Sequence, residues 1–351
     1  MTAPAALAAT EDLAIHFASA HGRGKVMAVD GVTFSVWRGE TFGIIGESGS
    51  GKSTLGRALV GLQKPTRGKV LHEGHDLFAL RRRDFARHRR DFPIVFQDAT
   101  SAMDPRMTIV QSVREPLDIA ATMPTAARAA RVAELLDAVG LSQAQGARYP
   151  RELSGGQNQR ATIARTLALS PKLIVCDEVV APLDVSIQAD ILNLFAQLQQ
   201  LLGLTYVFIT HDLGVVAHIS DRIAVMYLGK FVELAPAAAL MTAPLHPYTQ
   251  ALLSAEPDLA ATTAERRQRI VLKGEIPSAI DPPSGCSFRT RCWRATEECA
   301  LTEPPLRQVA DGRFVACHYA EEPSPRNEGG VPGNHIGENS HLGHMASASL
   351  Y

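Results

Sequence analysis

Short apolar runs alternate with helical patterns through much of this chain. The run 41–46 (TFGIIG) ends in glycine and leads through a Gly/Ser loop into KSTLGRALVGL, which predicts a helix. The runs 172–178 (KLIVCDE) and 205–212 (TYVFITHD) stay apolar until their polar last residues. Between them VSIQADILNLFAQLQQLLG has helical spacing, with Gly203 as its expected cap. This alternation predicts an α/β fold with a mostly parallel sheet and functional loops at the carboxyl ends of its strands.

Three regions depart from that alternation. Residues 98–165 contain the amphipathic stretch ARAARVAELLDAVGL and no adjacent buried strand, which predicts a helical insert beside the sheet. Proline and cysteine become frequent after HPYTQALL, and from Glu321 the chain is polar and contains Gly and Ser. We therefore expect a main domain over 1–245, a small Cys-containing extension over 246–320 and a disordered tail over 321–351.

Composition narrows the classes of partner. Lys plus Arg (35) and Asp plus Glu (36) nearly cancel in 351 residues, so net charge favours neither nucleic acid nor an anionic membrane. The N-terminus lacks a basic segment and carries Glu11 and Asp12 where a signal peptide needs apolar residues. No run approaches the roughly 18 to 20 apolar residues of a membrane span. These features predict a soluble or peripheral protein on the cytosolic side.

The basic run RRRDFARHRR (81–90) is interpreted as a solvated helix face. Contact near a membrane-facing side is the alternative.

The segment GESGSGKST fits G-x-x-x-x-G-K-[ST] between a predicted strand and a predicted helix. Its glycines let the backbone curl so that N–H groups face phosphate oxygens, and the helix dipole favours the same anion. Lys52 would add a positive charge at the β- and γ-phosphates, and Ser53 a hydroxyl for Mg²⁺. The predicted phosphate-binding loop comprises Gly46, Glu47, Ser48, Gly49, Ser50, Gly51, Lys52, Ser53 and Thr54.

Two carboxylates complete this chemistry at the end of the run 172–178. Asp177 is expected to hold Mg²⁺, while the adjacent Glu178 is placed to polarise an attacking water. An Asp-Glu pair at a strand end is usually polar capping. The loop at 46–54 in the same chain favours the functional interpretation.

The segment LSGGQNQR (153–160) resembles the signature motif of ATP-binding cassette (ABC) ATPases, and the resemblance extends from about residue 12 to 320. It implies a P-loop NTPase cassette that uses ATP and Mg²⁺. By this resemblance Gln97 in IVFQD would sense the γ-phosphate, lie at the Mg²⁺ and contact the transmembrane partner, and His211 in FITHD would contact the γ-phosphate. It also implies that Asp184 in APLD faces an opposite subunit.

The signature residues Ser154, Gly155, Gly156 and Gln157 would form an anion site at a helix start. In the family this site binds the nucleotide held by the other subunit. The resemblance therefore implies a dimer, either of this chain or with a similar ATPase subunit.

Several positions depart from the family pattern. Asn158 stands where a basic residue is usual, and VVAPLD follows Glu178 in place of Pro-x-Ser-Ala-Leu-Asp. Val179, Ala181 and Pro182 therefore differ, and Pro182 removes a backbone donor. Because Lys52 and Glu178 are intact, we expect the assembled complex to hydrolyse ATP. For adenine stacking, the segment before the phosphate loop offers Phe17 and His21 but no clear candidate, and the position stays open.

HPYTQALLSAEP and the later Cys-containing segment resemble the C-terminal extension of ATPase subunits from dipeptide, oligopeptide and nickel importers. AVDGVTFSVWRGETFGIIGESGSGKSTLGRALVGL and FQDATSAMDPRMTI resemble the second ATPase subunit of such importers. The implied partners are two membrane permeases and, indirectly, an external solute-binding protein, which places the chain at the inner face of the plasma membrane. A soluble cassette ATPase acting on ribosomes or DNA is the alternative, and an exporter ATPase is disfavoured. Peptide, nickel, opine and oligosaccharide remain open as solutes.

Four of the five cysteines fall within 286–317. Their spacings of five, six and seventeen residues lack the tight pair with which structural zinc sites begin. Four thiolates suit an iron–sulfur cluster, and the importer resemblance implies a four-iron four-sulfur cluster. Zinc and plain reduced thiols stay open, as does His318 as an alternate ligand, whereas Cys176 is expected in the core. The expected cluster ligands are Cys286, Cys292, Cys299 and Cys317.

Overall fold

The computed structural model describes residues 6–19, 24–99, 101–255 and 269–320. The expected tail at 321–351 and its histidines lie outside the described residues. Within these ranges the strands are β1 (Ala8–Ala18), β2 (Lys25–Val36), β3 (Thr41–Ile45), β4 (Arg67–His72), β5 (His75–Asp76), β6 (Ile94–Val95), β7 (Leu173–Asp177), β8 (Thr205–Ile209), β9 (Arg222–Tyr227), β10 (Lys230–Pro236), β11 (Arg307–Ala310) and β12 (Arg313–Val315). The α-helices are α1 (Lys52–Leu59), α2 (Arg82–Asp91), α3 (Ile109–Ala120), α4 (Thr125–Ala138), α5 (Gln143–Gly146), α6 (Gly155–Leu167), α7 (Val185–Leu202), α8 (Leu213–Ile219), α9 (Ala237–Thr242), α10 (Pro247–Ala255) and α11 (Glu297–Leu301).

The larger sheet has the order β11-β12-β10-β9-β3-β8-β7-β6. Strands β9, β3, β8, β7 and β6 are parallel, whereas β10, β12 and β11 continue the sheet antiparallel. The three predicted apolar runs are β3, β7 and β8, and every residue in these strands is buried. The predicted mostly parallel sheet is therefore confirmed. Because β3, β7 and β8 are neighbours, the loops after them meet at one edge.

A second sheet, β2-β1-β4-β5, is antiparallel and was not predicted. Its strands give a weak sequence signal because the pairing is irregular. The register between β1 and β2 shifts between Thr10 and Leu13, between Leu13 and Ile15, and again at His16. These shifts interrupt the period of two that identifies a half-buried strand.

Helices α3, α4 and α6 pack on one another in the region where a helical insert was predicted. Their buried aliphatic side chains share one core with β7 and α7; they include Val113, Leu117, Val132, Leu136 and Ile163. The predicted cap of α7 is present, since Gly203 has φ +64° and its N–H donates to the carbonyl of Gln199 at 2.8 Å. Left-handed backbone of this kind favours glycine.

The C-terminal segment, described at 246–255 and 269–320, packs directly on the larger sheet. Strand β12 pairs with β10, while Tyr248 of α10 and Phe288 join a core with Val225 and Tyr227. The expected division at residue 245 stays a prediction. No residue of α2 is buried, in agreement with the interpretation of 81–90 as a solvated face. Among the described residues no helix is both long and apolar enough to cross a membrane.

Candidate nucleotide site

The predicted phosphate-binding loop connects β3 to α1 at the carboxyl edge of the sheet. Two of its glycines are required by close backbone approaches. A Cβ on Gly46 would lie 2.2 Å from the carbonyl oxygen of Met226, and one on Gly51 would lie 2.0 Å from that of Ala28. Gly51 also has φ +106° and precedes the first residue of α1. Only glycine fits at these two positions.

Lys52 lies at the centre of the loop with 5% of its surface exposed. Its Nζ donates to the carbonyl oxygens of Gly46 at 2.7 Å and Glu47 at 3.0 Å. Burial lowers the pKa of Lys52, and the nearby carboxylates of Glu178, Asp177 and Glu47 oppose that shift. The ammonium is thus held among loop carbonyls, beside the N–H groups that would face a phosphate.

Ser53 and Asp177 meet across 124 residues of sequence. The Ser53 Oγ donates to Asp177 Oδ1 at 2.8 Å. Burial raises the pKa of Asp177, and the hydrogen bond from Ser53 opposes this rise. Both side chains border a cavity of about 330 Å³, together with Arg57, Phe96, Gln97, Asp98, Ser101, Ala102 and Glu178. Its hydroxyl, amide and carboxylate oxygens are ligands that Mg²⁺ prefers, so the residues fit the predicted metal.

Glu178 follows β7 with φ +52°, an uncommon conformation for a residue with a side chain. Its N–H donates to the carbonyl of Ile209 at 2.9 Å, which ties the turn to the end of β8. His211 Nδ1 lies 3.2 Å from Glu178 Oε1, and 60% of the histidine side chain is exposed. Of the four predicted catalytic residues, Lys52, Gln97, Glu178 and His211, the last two are therefore in contact, and Glu178 and Gln97 border the cavity.

The signature residues have a different environment. Ser154 caps α6, with its Oγ accepting from Gln157 N–H at 3.3 Å while Gln157 Oε1 accepts from Ser154 N–H at 3.0 Å. Ser154 and Gly155 are exposed, and none of residues 154–157 borders the cavity beside Ser53. Gly156 is buried, and a Cβ there would lie 2.7 Å from Ile187 Cγ2. The start of α6 therefore presents its first residues to solvent.

The departures from the family pattern have definite contacts. Asn158 is buried, and its Nδ2 donates to the carbonyls of Pro150 at 2.9 Å and Leu153 at 3.4 Å. Val179 is buried in the core, and Ala181 N–H donates to the carbonyl of Glu178 at 3.2 Å. Pro182 lies in the same turn, between β7 and α7.

Asp184 is exposed and caps α7. Its Oδ1 accepts from Ile187 N–H at 3.0 Å and from the Ser186 hydroxyl at 2.9 Å. These hydrogen bonds lower the pKa of Asp184.

Sequence reasoning missed several residues that contact this region. Arg57, Phe96, Asp98 and Ser101 border the cavity. Phe96 and Asp98 flank Gln97, and that adjacency was the only available signal. For adenine, Phe17 pairs with Val26 at the end of β1 and is exposed, whereas His21 lies outside the described residues.

The four clustered cysteines line a single small cavity together with His318. All are free thiols, and burial raises the pKa of Cys286 to about 11 and that of Cys292 to about 12. Within the described ranges, however, no group of three or more His, Cys, Asp or Glu side chains is arranged to hold a metal ion. The described residues therefore show no formed metal site at these thiols, and the iron–sulfur cluster stays a prediction. Cys176 is fully buried in β7, and the core position predicted for it is confirmed.

The strand–loop–helix phosphate site and the signature helix define an ATP-binding cassette. A family model for ABC transporters matches residues 29–181, and one for the oligopeptide/dipeptide transporter C-terminal region matches residues 232–299. The chain is 49% identical to the oligopeptide transport ATP-binding protein AppF of Bacillus subtilis, over 84% of this chain and 90% of AppF. It is 46% identical to the dipeptide transport ATP-binding protein DppF of Haemophilus influenzae, over 85% of this chain and 90% of DppF.

Among solved structures, the ATP-binding cassette MJ0796, a dimer in a post-hydrolysis state bound to ADP and Pi, matches with a TM-score of 0.60 and 30% identity. The match covers 66% of this chain and 98% of MJ0796. The chain belongs to the ABC transporter ATP-binding proteins, in the group with the oligopeptide/dipeptide transporter C-terminal region. It is an ATP-hydrolysing subunit of a transporter, and the alternative of a ribosome- or DNA-directed ATPase is not favoured.

Proposed function

We propose that this chain is one of two ATPase subunits that drive import of peptides, or of a related solute such as nickel, through a membrane ABC transporter. The names of AppF and DppF and the match at 232–299 support a peptide-type system. The partners are two permease subunits and, indirectly, a solute-binding protein. The chain would lie against the cytoplasmic face of the plasma membrane.

In the proposed mechanism, loop N–H groups and the Lys52 ammonium bind the β- and γ-phosphates of ATP. Ser53, Asp177 and Gln97 would hold Mg²⁺, which offsets charge on the phosphate oxygens. Glu178 accepts a proton from the attacking water. His211, 3.2 Å from that carboxylate, orients it and contacts the γ-phosphate.

A dimer completes each ATP site in this proposal. The observation that carries it is the separation of the two half-sites: Ser53, Asp177 and Glu178 border one cavity, and the signature residues do not. The exposed N-terminus of α6 is an anion site that can meet a nucleotide on another subunit. Asp184, exposed at the start of α7, would contact that subunit as well.

Transport tests the proposal directly. A strain that lacks this gene should regain uptake of labelled peptides or Ni²⁺ when the wild-type chain is supplied, and should not regain it with Lys52→Ala. Lys64→Ala, which changes an exposed lysine outside the cavity, should restore uptake fully. Full uptake with Lys52→Ala, or no uptake phenotype for any solute of the panel, would contradict the proposal.

We also propose that Cys286, Cys292, Cys299 and Cys317 bind a four-iron four-sulfur cluster. The support is that four free thiols line one cavity, since four thiolates are the usual ligand set of such a cluster. Anaerobic purification followed by an absorbance spectrum and iron analysis tests it. Broad absorbance in the visible range and about four irons per chain are expected. Colourless protein free of iron would exclude the cluster. Protein that contains zinc and no iron would show a zinc site in its place.

A further inference from the structure

The second residue of the phosphate-binding loop is held by two side chains from outside the nucleotide motifs. The Glu47 N–H donates to the Tyr248 hydroxyl at 2.9 Å. The Glu47 carboxylate accepts from Arg291 Nη1 at 2.7 Å and from Nη2 at 3.0 Å. These partners lie 201 and 244 residues further along the chain, in the C-terminal segment.

Both partners are firmly placed. Tyr248 is fully buried, and its ring centroid lies 4.7 Å from that of Tyr227 and 5.4 Å from that of Phe288. The Arg291 side chain is 8% exposed, and its guanidinium donates two parallel hydrogen bonds to the Glu47 carboxylate. Bidentate pairs of this kind are stronger and more specific in geometry than single hydrogen bonds. The C-terminal segment therefore fixes both the backbone and the side chain of Glu47.

The same residue supports the rest of the loop. The Glu47 carbonyl accepts from Lys52 Nζ at 3.0 Å and from Ser50 N–H at 3.2 Å. A displacement of Glu47 would move the carbonyl that holds the lysine and the turn that aims the loop N–H groups. A loop that is already ordered loses less conformational freedom when a ligand binds, so its affinity is higher.

We propose that Arg291 is a positioning residue for ATP: by clamping Glu47, the C-terminal segment sets the nucleotide affinity of the phosphate-binding loop. Arg291 touches no reacting atom in this arrangement. It lies beside Cys292, in the turn where Arg291 N–H donates to the Phe288 carbonyl at 3.0 Å. Because coupling free energies are reciprocal, nucleotide bound at the loop should stabilise the segment 286–299 in return.

Nucleotide affinity of the full-length chain is the first test. Arg291→Met should weaken binding of Mg-ATP about tenfold, a coupling within the usual range between linked sites. Arg291→Lys keeps the charge but loses the two-pronged contact, and should recover part of the affinity. Arg289→Met is the matched control, because the Arg289 guanidinium donates to the carbonyl and hydroxyl of Ser284 within the same segment. In the assembled transporter, Arg291→Met should raise KM for ATP and leave kcat nearly unchanged.

Two further variants keep the test decisive if Arg291→Met folds poorly. Tyr248→Phe retains the buried ring, removes only the acceptor of the Glu47 N–H, and should weaken binding about threefold. The double variant Glu47→Gln/Arg291→Met should bind no more weakly than the more affected single variant, since both remove one interaction.

Hydrogen exchange of residues 286–299 supplies the reciprocal measurement. Mg-ATP should slow exchange there in the wild-type chain and should fail to do so in Arg291→Met at saturating nucleotide. Equal affinities for Arg291→Met and Arg289→Met in folded protein would overturn the proposal. So would a lowered kcat at unchanged KM, or exchange in 286–299 that ignores nucleotide in the wild-type chain.

Discussion

The two halves of the ATP site differ in how their polar groups are satisfied. In the phosphate half, Lys52 and Asp177 are 5% and 6% exposed, and the Ser53–Asp177 hydrogen bond joins residues 124 positions apart. In the signature half, Ser154 and Asp184 are exposed and their side-chain hydrogen bonds reach no more than three residues along the chain. The phosphate half is thus organised by the fold of this chain. The signature half consists of two capped, exposed helix starts, which could contact a nucleotide bound by another subunit.

Glu178→Gln should have the largest effect, because it removes the proposed proton acceptor and keeps the shape of the side chain. The hydrolysis rate of the assembled complex should fall roughly a thousandfold, as expected for loss of a general base. Nucleotide binding should persist, since Lys52, Ser53 and Asp177 remain. Steady-state phosphate release, set beside a nucleotide-binding isotherm, measures both. A rate within tenfold of wild type would remove Glu178 from the catalytic role.

Ser154→Ala should separate the two halves. In the isolated chain its nucleotide affinity should equal that of wild type, because the signature does not border the cavity. In the assembled complex hydrolysis should fall roughly a hundredfold, through loss of a donor to the γ-phosphate. Ser142→Ala is the matched control, since Ser142 caps α5 through the same reciprocal contact with Gln145. Weakened binding in the isolated chain would show that the signature acts in cis.

Gly156→Ala should lower the stability of the chain, because Gly156 lies in tight contact with Ile187 behind the signature. A Cβ there would lie 2.7 Å from Ile187 Cγ2, whereas a Cβ on Gly155 would lie 3.5 Å from Leu183 Cδ2, an ordinary contact. Overpacking of this kind should lower the free energy of unfolding by about 2 kcal/mol, and Gly155→Ala should leave it nearly unchanged. Urea unfolding monitored by circular dichroism measures the difference. Equal midpoints for the two variants would contradict the packing argument.

The sequence predicted what local pattern controls. Strands β3, β7 and β8 are short, mainly apolar runs, and α7 has both helical spacing and a glycine cap. Each of these elements could therefore be predicted from its own segment of sequence. The phosphate loop was predictable for the same reason, because its glycines and Lys52 are contiguous. The antiparallel sheet was not, since the irregular register of β1 hides its period.

Contacts between distant segments were also beyond sequence reasoning. Nothing near Glu47 indicates that its carboxylate is held by Arg291, 244 residues away, and nothing near Gly156 indicates Ile187. Both depend on how the completed sheet and helices pack. The cysteines of 286–317 were predictable only in part. Their number can be read from the sequence, but only the folded structure shows that all four line one cavity.

Asn158→Ala should give the smallest effect, and it tests a buried polar side chain that lies behind the signature half. Its amide bonds to the carbonyls of Pro150 and Leu153, in the turn just before Ser154. Losing these bonds should lower the free energy of unfolding by about 1 kcal/mol. The matched control is Asn193→Ala, an exposed asparagine within α7, which should not destabilise the chain.

Because Asn158 lies behind the signature and away from the cavity beside Ser53, Asn158→Ala should leave nucleotide affinity in the isolated chain unchanged while slowing hydrolysis in the complex. Reduced affinity in the isolated chain would mean that the two halves are coupled within one subunit. The two halves would then differ only in the exposure of their polar groups, and the signature residues would help to position Lys52.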